Sequence, residues 1–409
     1  MIAKFDSWLL KKIYQALGKP PYLISLWGDI QIGPSHAKAI AHVHIKQRRT
    51  LLRICINPEL YFGEAYSKGD LTLTGDLVKL LEHTYRGIAS SKRNWLQKLI
   101  VTWQARPCNN SITGSKKHIH QHYDLGNDFY RLWLDDKMLY TCAYYPTPES
   151  ELSHAQTEKM HHVARKLQLK PGDNVVEAGC GWGSLALHMA KHYGVTVKAY
   201  NISHQQILHA REQAKLQGLD DKVEFIEDDY RNIKGQHDVF VSVGMLEHVG
   251  VNNFRELGDV IARCLKPDGR GLIHSIGRNQ PVRMNAWIER HIFPGAYPPT
   301  IREAMEIFEP NNFSVIDVEN IRLHYALTLL HWLEKYEQNT DQVEAMFDEQ
   351  FVRAWRLYLA GSIASFSVGA LQLFQIVFSP GRSNNISWTR EHIYSSLEKT
   401  DEASWKNVM

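Results

Sequence analysis

Glu177, Gly179, Gly181 and Gly183 form the pattern in this chain with the clearest chemical consequence. They lie in VVEAGCGWGSLALHMA, residues 175–190, where a short apolar run meets three glycines two apart and then a helix-like stretch. Glycines allow a tight turn and bring backbone within reach of a ligand that a Cβ would exclude. A helix starting behind them offers N–H groups that lack intrahelical partners. Such a turn holds a nucleotide-like cofactor at the end of a strand.

The spacing narrows the cofactor. A dinucleotide fold calls for G-x-G-x-x-G with an acid about 20 residues further on. Here the glycines read G-x-G-x-G, the acid Glu177 stands two before the first of them, and the next strand, VTVKAYNIS, ends without an acid. That arrangement points to S-adenosylmethionine rather than NAD.

The elements that must position this loop are legible as an alternation. NVVEAG, VTVKAY, VEFIE, HDVFVSV and RGLIHSI read as strands, with LALHMAKHY, HQQILHAREQAKL and FRELGDVIARCL as helices between them. The order predicts an α/β fold with a doubly wound, mostly parallel sheet that binds ligands beyond the carboxyl ends of its strands. QLFQIVF, near the carboxyl end, reads as a buried terminal strand. Ahead of this unit, residues 1–88 predict a small α+β domain: an opening helix, AHVHI and LLRICI as strands, and YFGEAYSKGDLTLTGD as a helical turn, a Gly-Asp turn and a short strand. Residues 89–117 turn basic and then turn-rich, and are expected to be a linker before a domain spanning 118–409. Within the linker, Trp95, Leu99 and Trp103 share a helical face beside Lys92, Arg93 and Lys98, a pattern suited equally to an anionic membrane surface or to packing on its own protein.

Composition bounds the rest. The chain has 409 residues, 44% hydrophobic and 22% charged, with a net charge of +3. It is long enough for two cores and too weakly basic to imply nucleic acid. Five cysteines without C-x-x-C spacing, together with an opening helix interrupted by Asp6, Lys11 and Lys12, predict a reducing cytoplasmic setting with no disulfide, zinc site or signal peptide. The uncharged run Leu357–Gly381 carries too many Ser and Gln to cross a bilayer. His118, His120 and His122 alternate as metal ligands sometimes do but lack a fourth ligand, so no metal is expected.

Read together, HYDLGNDFYRLWLDDKMLYTCAYY from His122, EAGCGWG, NISHQQ, EDDYR, SVGMLEHVG, GLIHSIG and HYALTLLHW are far more specific than a glycine loop alone. The chain resembles the cyclopropane fatty acid synthase family from His118 to about Gly381, and FGEAYSKGDLTLTGD resembles the small extra domain of bacterial members. The resemblance implies a Rossmann-like class I methyltransferase that adds a methylene from S-adenosylmethionine across the double bond of an unsaturated phospholipid acyl chain. It implies cofactor contacts from Tyr140, Thr141, Val176, Glu177, Ala178, Gly179, Cys180, Gly181, Trp182, Gly183, Asn201, Gln206, Asp229 and Tyr230. Asn201 departs from the Thr more usual there.

The same resemblance implies a bicarbonate site made by Cys142, Glu247, His274, Ile276 and Tyr325, with Cys142 and Ile276 contributing mainly backbone. An alkene methylated by a sulfonium becomes a carbocation that must lose a proton before the ring closes, so a base must be near and water absent. A homodimer in peripheral contact with the cytoplasmic side of the inner membrane follows from the resemblance alone. The dense aromatics, including Tyr123 and Tyr144, are expected to be mostly core and tunnel wall, with one or two facing the cation. His248, next to Glu247, is a weaker candidate for the catalytic histidine. Cys142, lacking an adjacent base, reads as site lining rather than a nucleophile. The segment IFPGAYPPT, residues 292–300, departs from the family's FPGG by adding Tyr297 and a double proline near the expected acyl entrance. Two rival functions are an amine N-methyltransferase sharing HYDLGNDFY and the glycine loop, and a lipid-binding protein without catalysis.

Overall fold

The computed structural model describes residues 2–90 and 125–394. The segment with Trp95, Leu99 and Trp103 lies outside the described residues, as do His118, His120, His122 and Tyr123.

The amino-terminal part opens with α1 (Ile2–Ala16), followed by β1 (Leu23–Leu26), β2 (Gln31–Ile32), β3 (Ala41–Ile45), α2 (Arg48–Ile56), α3 (Pro58–Ser67), β4 (Leu71–Gly75) and α4 (Leu77–Ser90). Its four strands form one sheet in the order β2-β1-β3-β4, with β1 and β3 parallel and the other pairs antiparallel. AHVHI alternates as a half-buried strand should: Ala41, Val43 and Ile45 face the core, while His42 and His44 face outward, where both contact the Ser25 hydroxyl.

LLRICI is not a strand. It forms most of α2, because only Thr50 and Leu51 of that helix are buried, one helical patch rather than every second residue. Pro58 at the start of α3 and Asn57, whose side chain accepts from the Leu60 N–H, end α2 and begin its successor. The cost is that Leu52 and Ile56 stand exposed.

Among the described residues the second part runs α5 (Asn127–Arg131), α6 (Leu152–Lys166), β5 (Asn174–Ala178), α7 (Ser184–Tyr193), β6 (Thr196–Asn201), α8 (His204–Leu216), β7 (Val223–Glu227), β8 (His237–Val243), α9 (Leu246–Val249), α10 (Phe254–Cys264) and β9 (Leu265–Gly277). It continues through α11 (Ala286–His291), α12 (Ile301–Ala304), β10 (Phe313–Asn320), α13 (Arg322–Gln338), α14 (Thr340–Met346), α15 (Glu349–Ser367), β11 (Gln372–Pro380) and α16 (Glu391–Tyr394). Seven strands make one sheet in the order β10-β11-β9-β8-β5-β6-β7, and only β11 runs against the rest. The order reverses between β5 and β8, which puts the crevice for a ligand at the ends of those strands. All five predicted strands are present at this sheet's center or edge. QLFQIVF is β11, and the uncharged run Leu357–Gly381 divides into the end of α15 and that strand. Among the described residues no helix is long and apolar enough to cross a membrane.

Two apolar layers cover the faces of the sheet, one containing Val175 and Val197, the other Val176, Ala178 and Phe240. A third cluster joins the amino-terminal sheet to α5, α13 and α15. Helix α15 packs on α3, α4 and α13, so it ties the small sheet to the wall of the larger unit.

Candidate active site

β5 ends at Ala178 and the chain turns through Gly179, Gly181 and Gly183, all at positive φ, before α7 starts at Ser184. At Gly183 the need for glycine is double: φ is +88°, and a Cβ there would stand 2.6 Å from the Phe225 ring. The amides of Gly179 and Cys180 donate to the Tyr200 carbonyl at the end of β6, which pins the loop beside the second strand.

This loop forms one wall of a cavity of about 150 Å³. Of the predicted cofactor residues, Tyr140, Thr141, Glu177, Gly179, Cys180, Gly181, Trp182, Asn201, Gln206, Asp229 and Tyr230 line it. Val176, Ala178 and Gly183 do not. The first two alternate to the opposite face of β5 from Glu177 and are buried in the apolar layer there, and Gly183 abuts Phe225. Their part is to shape the loop. Asn201, at the end of β6, donates to the Gly181 carbonyl at 3.2 Å and to Gln206 Oε1 at 2.7 Å, so the residue replacing the family's Thr braces the loop. Asp229 is held by Arg231, whose Nη1 lies 3.1 Å from its carboxylate.

Lys159, on α6, lines the same cavity and was not singled out from the sequence. It is only 1% exposed, and its ammonium donates to Thr141 Oγ1 at 2.9 Å. Burial pushes Lys159 down to about 8 and Glu177 up to about 8, with the attraction between the two opposing both shifts. Glu177 Oε2 is buried without a hydrogen-bond partner among the described residues, an acceptor waiting for a cationic or N–H donor. A signal was available in the sequence: Lys159 shares the inward face of α6 with Ala155, Met160 and Val163, where an uncompensated charge is costly.

The residues implied for the base site lie outside the cavity lining. Glu247 Oε1 accepts from the Ile276 N–H at 2.5 Å, and its Oε2 has no partner among the described residues. Burial raises Glu247 to about 7. On β9, two residues before Ile276 and on the same face, His274 is 2% exposed, and its Nδ1 accepts from Gln375 Nε2 at 3.1 Å. Burial lowers His274 to about 3, so its imidazole is neutral and carries its proton on Nε2. Cys142 and Tyr325 belong to one buried cluster, and Ile276 packs against it. Of the five, Glu247 and Ile276 are joined by that amide hydrogen bond and His274 shares β9 with Ile276, and none of the five lines the cavity. Burial raises the Cys142 thiol far above its ordinary value, and the thiol donates to the Ala143 carbonyl at 3.1 Å, which removes it as a nucleophile. His248 lines the cavity.

Tyr144 is sandwiched between His162 and His324, with ring centroids at 4.0 and 4.7 Å, so both of its π faces are covered and neither can face a cation. Tyr140 is better placed: it lines the cavity, and its hydroxyl meets that of Tyr358 on α15 at 2.8 Å. Tyr297, the departure in IFPGAYPPT, donates its N–H to the Glu247 carbonyl at 2.8 Å, and its hydroxyl donates to Glu303. His324, on α13, accepts from the Tyr145 N–H.

The family model for mycolic acid cyclopropane synthetase matches residues 110–376, and a model for a domain of unknown function matches residues 9–95. The cyclopropane-fatty-acyl-phospholipid synthase of Escherichia coli K12 is 38% identical over 370 residues, covering 87% of this chain and 92% of that protein. A probable fatty acid methyltransferase of Pseudomonas putida is 33% identical over 393 residues, covering 91% and 96%. Among solved structures, mycolic acid cyclopropane synthase CmaA1 complexed with SAH and CTAB superposes with a TM-score of 0.61 at 28% identity, over 64% of this chain and 97% of that one. The Mycobacterium tuberculosis cyclopropane synthase MmaA2 gives 0.62 at 27%, over 66% and 99%. The glycine loop and the cavity beside it therefore sit in a chain that belongs to the cyclopropane synthase family of S-adenosylmethionine-dependent methyltransferases.

Proposed function

We propose that this protein transfers a methylene from S-adenosylmethionine to the cis double bond of an unsaturated phospholipid acyl chain, giving a cyclopropane ring, with a bound bicarbonate as the base. The observation that carries the reading is Glu247: a buried carboxyl raised to about 7, one oxygen fixed by the amide of Ile276, which lies two residues along β9 from the neutral His274, and the other without a partner among the described residues. S-adenosylmethionine supplies a methyl on a sulfonium, and bicarbonate supplies a proton acceptor.

The chain's own groups do the rest. Glu177 and the glycine loop hold the amino-acid end of the cofactor, with Lys159 as counter-charge across the cavity. An anion beside Glu247 raises that carboxyl further, so Oε2–H can donate to the anion while Oε1 keeps the Ile276 amide. His274 donates from Nε2, and the Tyr325 hydroxyl and backbone at Cys142 and Ile276 complete the cradle. Trp332 and Phe366 pack against Tyr325 and keep water from the cation. The reading also takes residues 1–88 and 118–409 as two domains and the working form as a homodimer at the inner membrane, on the strength of the resemblance.

The test is mass spectrometry of unsaturated phospholipid incubated with purified protein, S-adenosylmethionine and bicarbonate. The expected product has gained one CH₂ and resists ozonolysis at the former double bond. A product that gains CH₂ and still cleaves with ozone is a methyl-branched alkene and overturns ring formation. An unchanged lipid overturns the reading altogether.

A further inference from the structure

Helix α1 packs on the protein with one face and leaves the other uncovered. Asp6 and Leu10 point inward and are buried. On the opposite side Lys4, Phe5, Trp8, Lys11 and Lys12 fall within about 120° of arc at about 100° per residue, and all five are exposed. Phe5 and Trp8 are 46% and 54% exposed, with ring centroids 5.9 Å apart, and the Lys12 ammonium stands 6.0 Å from the Trp8 ring.

Arg48 joins this stripe to α2. Its guanidinium lies 5.7 Å from the Phe5 ring, and its Nε donates to Asp6 at 2.9 Å. From Arg48 the outward face of α2 continues through Leu52 and Ile56, the latter 79% exposed, with Arg49 and Arg53 exposed alongside. The two helices together carry six cations and one acid, and that acid, Asp6, is buried against Arg48.

Aromatic and aliphatic side chains framed by Lys and Arg match an interface with both acyl surface and anionic headgroups. A second copy meeting this face symmetrically would bring six cations against six. A bare polyanion would leave Leu52 and Ile56 in water.

We propose that the α1–α2 face is the surface by which this protein lies on an anionic phospholipid bilayer. Phe5, Trp8, Leu52 and Ile56 enter the headgroup layer, and Lys4, Lys11, Lys12, Arg49 and Arg53 pair with lipid phosphates. The inference rests on the proposal that the substrate is bilayer phospholipid, and it assigns the docking contact to the small amino-terminal sheet unit rather than to the basic segment after it.

The test is co-sedimentation of the full chain with phosphatidylcholine vesicles, with and without phosphatidylglycerol, at low and high salt. The wild type is expected to bind the anionic vesicles and to be released by salt. Phe5→Ser with Trp8→Ser, and separately Lys11→Glu with Lys12→Glu, are each expected to weaken binding by about tenfold or more. Melting temperature and S-adenosylhomocysteine binding should stay unchanged, since neither pair touches the cavity. Wild-type binding in both variants overturns the proposal, as does salt-insensitive binding to neutral vesicles. So does a variant that turns a dimer into a monomer in sedimentation velocity while vesicle binding persists, because the face is then a self-interface. Turnover of detergent-dispersed lipid separates the two proposals: if it is absent while the variants still lose vesicle binding, the chemistry fails and the docking face stands.

Discussion

The donor cavity and the group around Glu247 are built in opposite ways. The cavity's wall is a local motif: β5, three glycines and α7 follow each other within residues 174–193, and the strand-turn-helix geometry places the ligand. The Glu247 group has no local motif. Its proposed members come from the loop before α6, from α9, β9 and α13, and Glu247 reaches β9 only through the Ile276 amide. The first needs backbone shape; the second needs buried side chains with shifted proton affinities. Sequence spacing reports the former directly, whereas the latter depends on which groups lose water together.

The largest effect should come from breaking the second region alone. Glu247→Gln keeps an oxygen for the Ile276 amide but removes the proton-sharing carboxyl, and turnover is expected to fall by about 1,000-fold. S-adenosylhomocysteine affinity, measured by calorimetry, should hold within about twofold, because Glu247 does not line the donor cavity. An equal loss in both measurements would mean that the two regions are one site.

Lys159→Met probes the first region. It removes the donor to Thr141 Oγ1 and the counter-charge facing Glu177. About 1 to 2 kcal/mol of binding, or roughly tenfold in the affinity for S-adenosylhomocysteine, should be lost. Turnover at saturating cofactor should change little, and a variant that binds as tightly as the wild type would show Lys159 to be only a buried structural lysine.

The smallest effect concerns proton linkage. Glu177 is raised from 4.5 to about 8 in the fold, so the folded protein favors its neutral form. The stability this gives is fully present below 4.5 and is lost as pH rises through about 8, since the unfolded chain ionizes earlier. In the cofactor-free protein, Glu177→Gln should therefore flatten the decline in melting temperature between pH 5 and 8 by about 2 °C. Parallel curves for the two proteins would place the linkage elsewhere.

The alternation of β5 to β9 with their helices was readable because each strand is a continuous apolar run and each helix shows period 3.6 between turn residues. Eleven of the cofactor residues that the family resemblance implies line the cavity, most of them in loops after strands, where this topology puts ligands. LLRICI misled because Leu, Ile and Cys at short spacing satisfy a strand pattern, and nothing local reveals that Leu52 and Ile56 will face outward. Tyr144 shows the same limit, for its availability to a cation was decided by two histidines far along the chain.

By itself, then, the sequence determined the order of strands and helices and the glycine turn that shapes the cavity. Tertiary structure decided the rest. It covered both faces of Tyr144, buried Lys159 against Thr141, and fixed one oxygen of Glu247 on the Ile276 amide while leaving the other without a partner among the described residues. The reason is physical: conformational preference is a property of neighbors along the chain, whereas desolvation, and with it proton affinity, belongs to whatever the fold brings around a group from elsewhere.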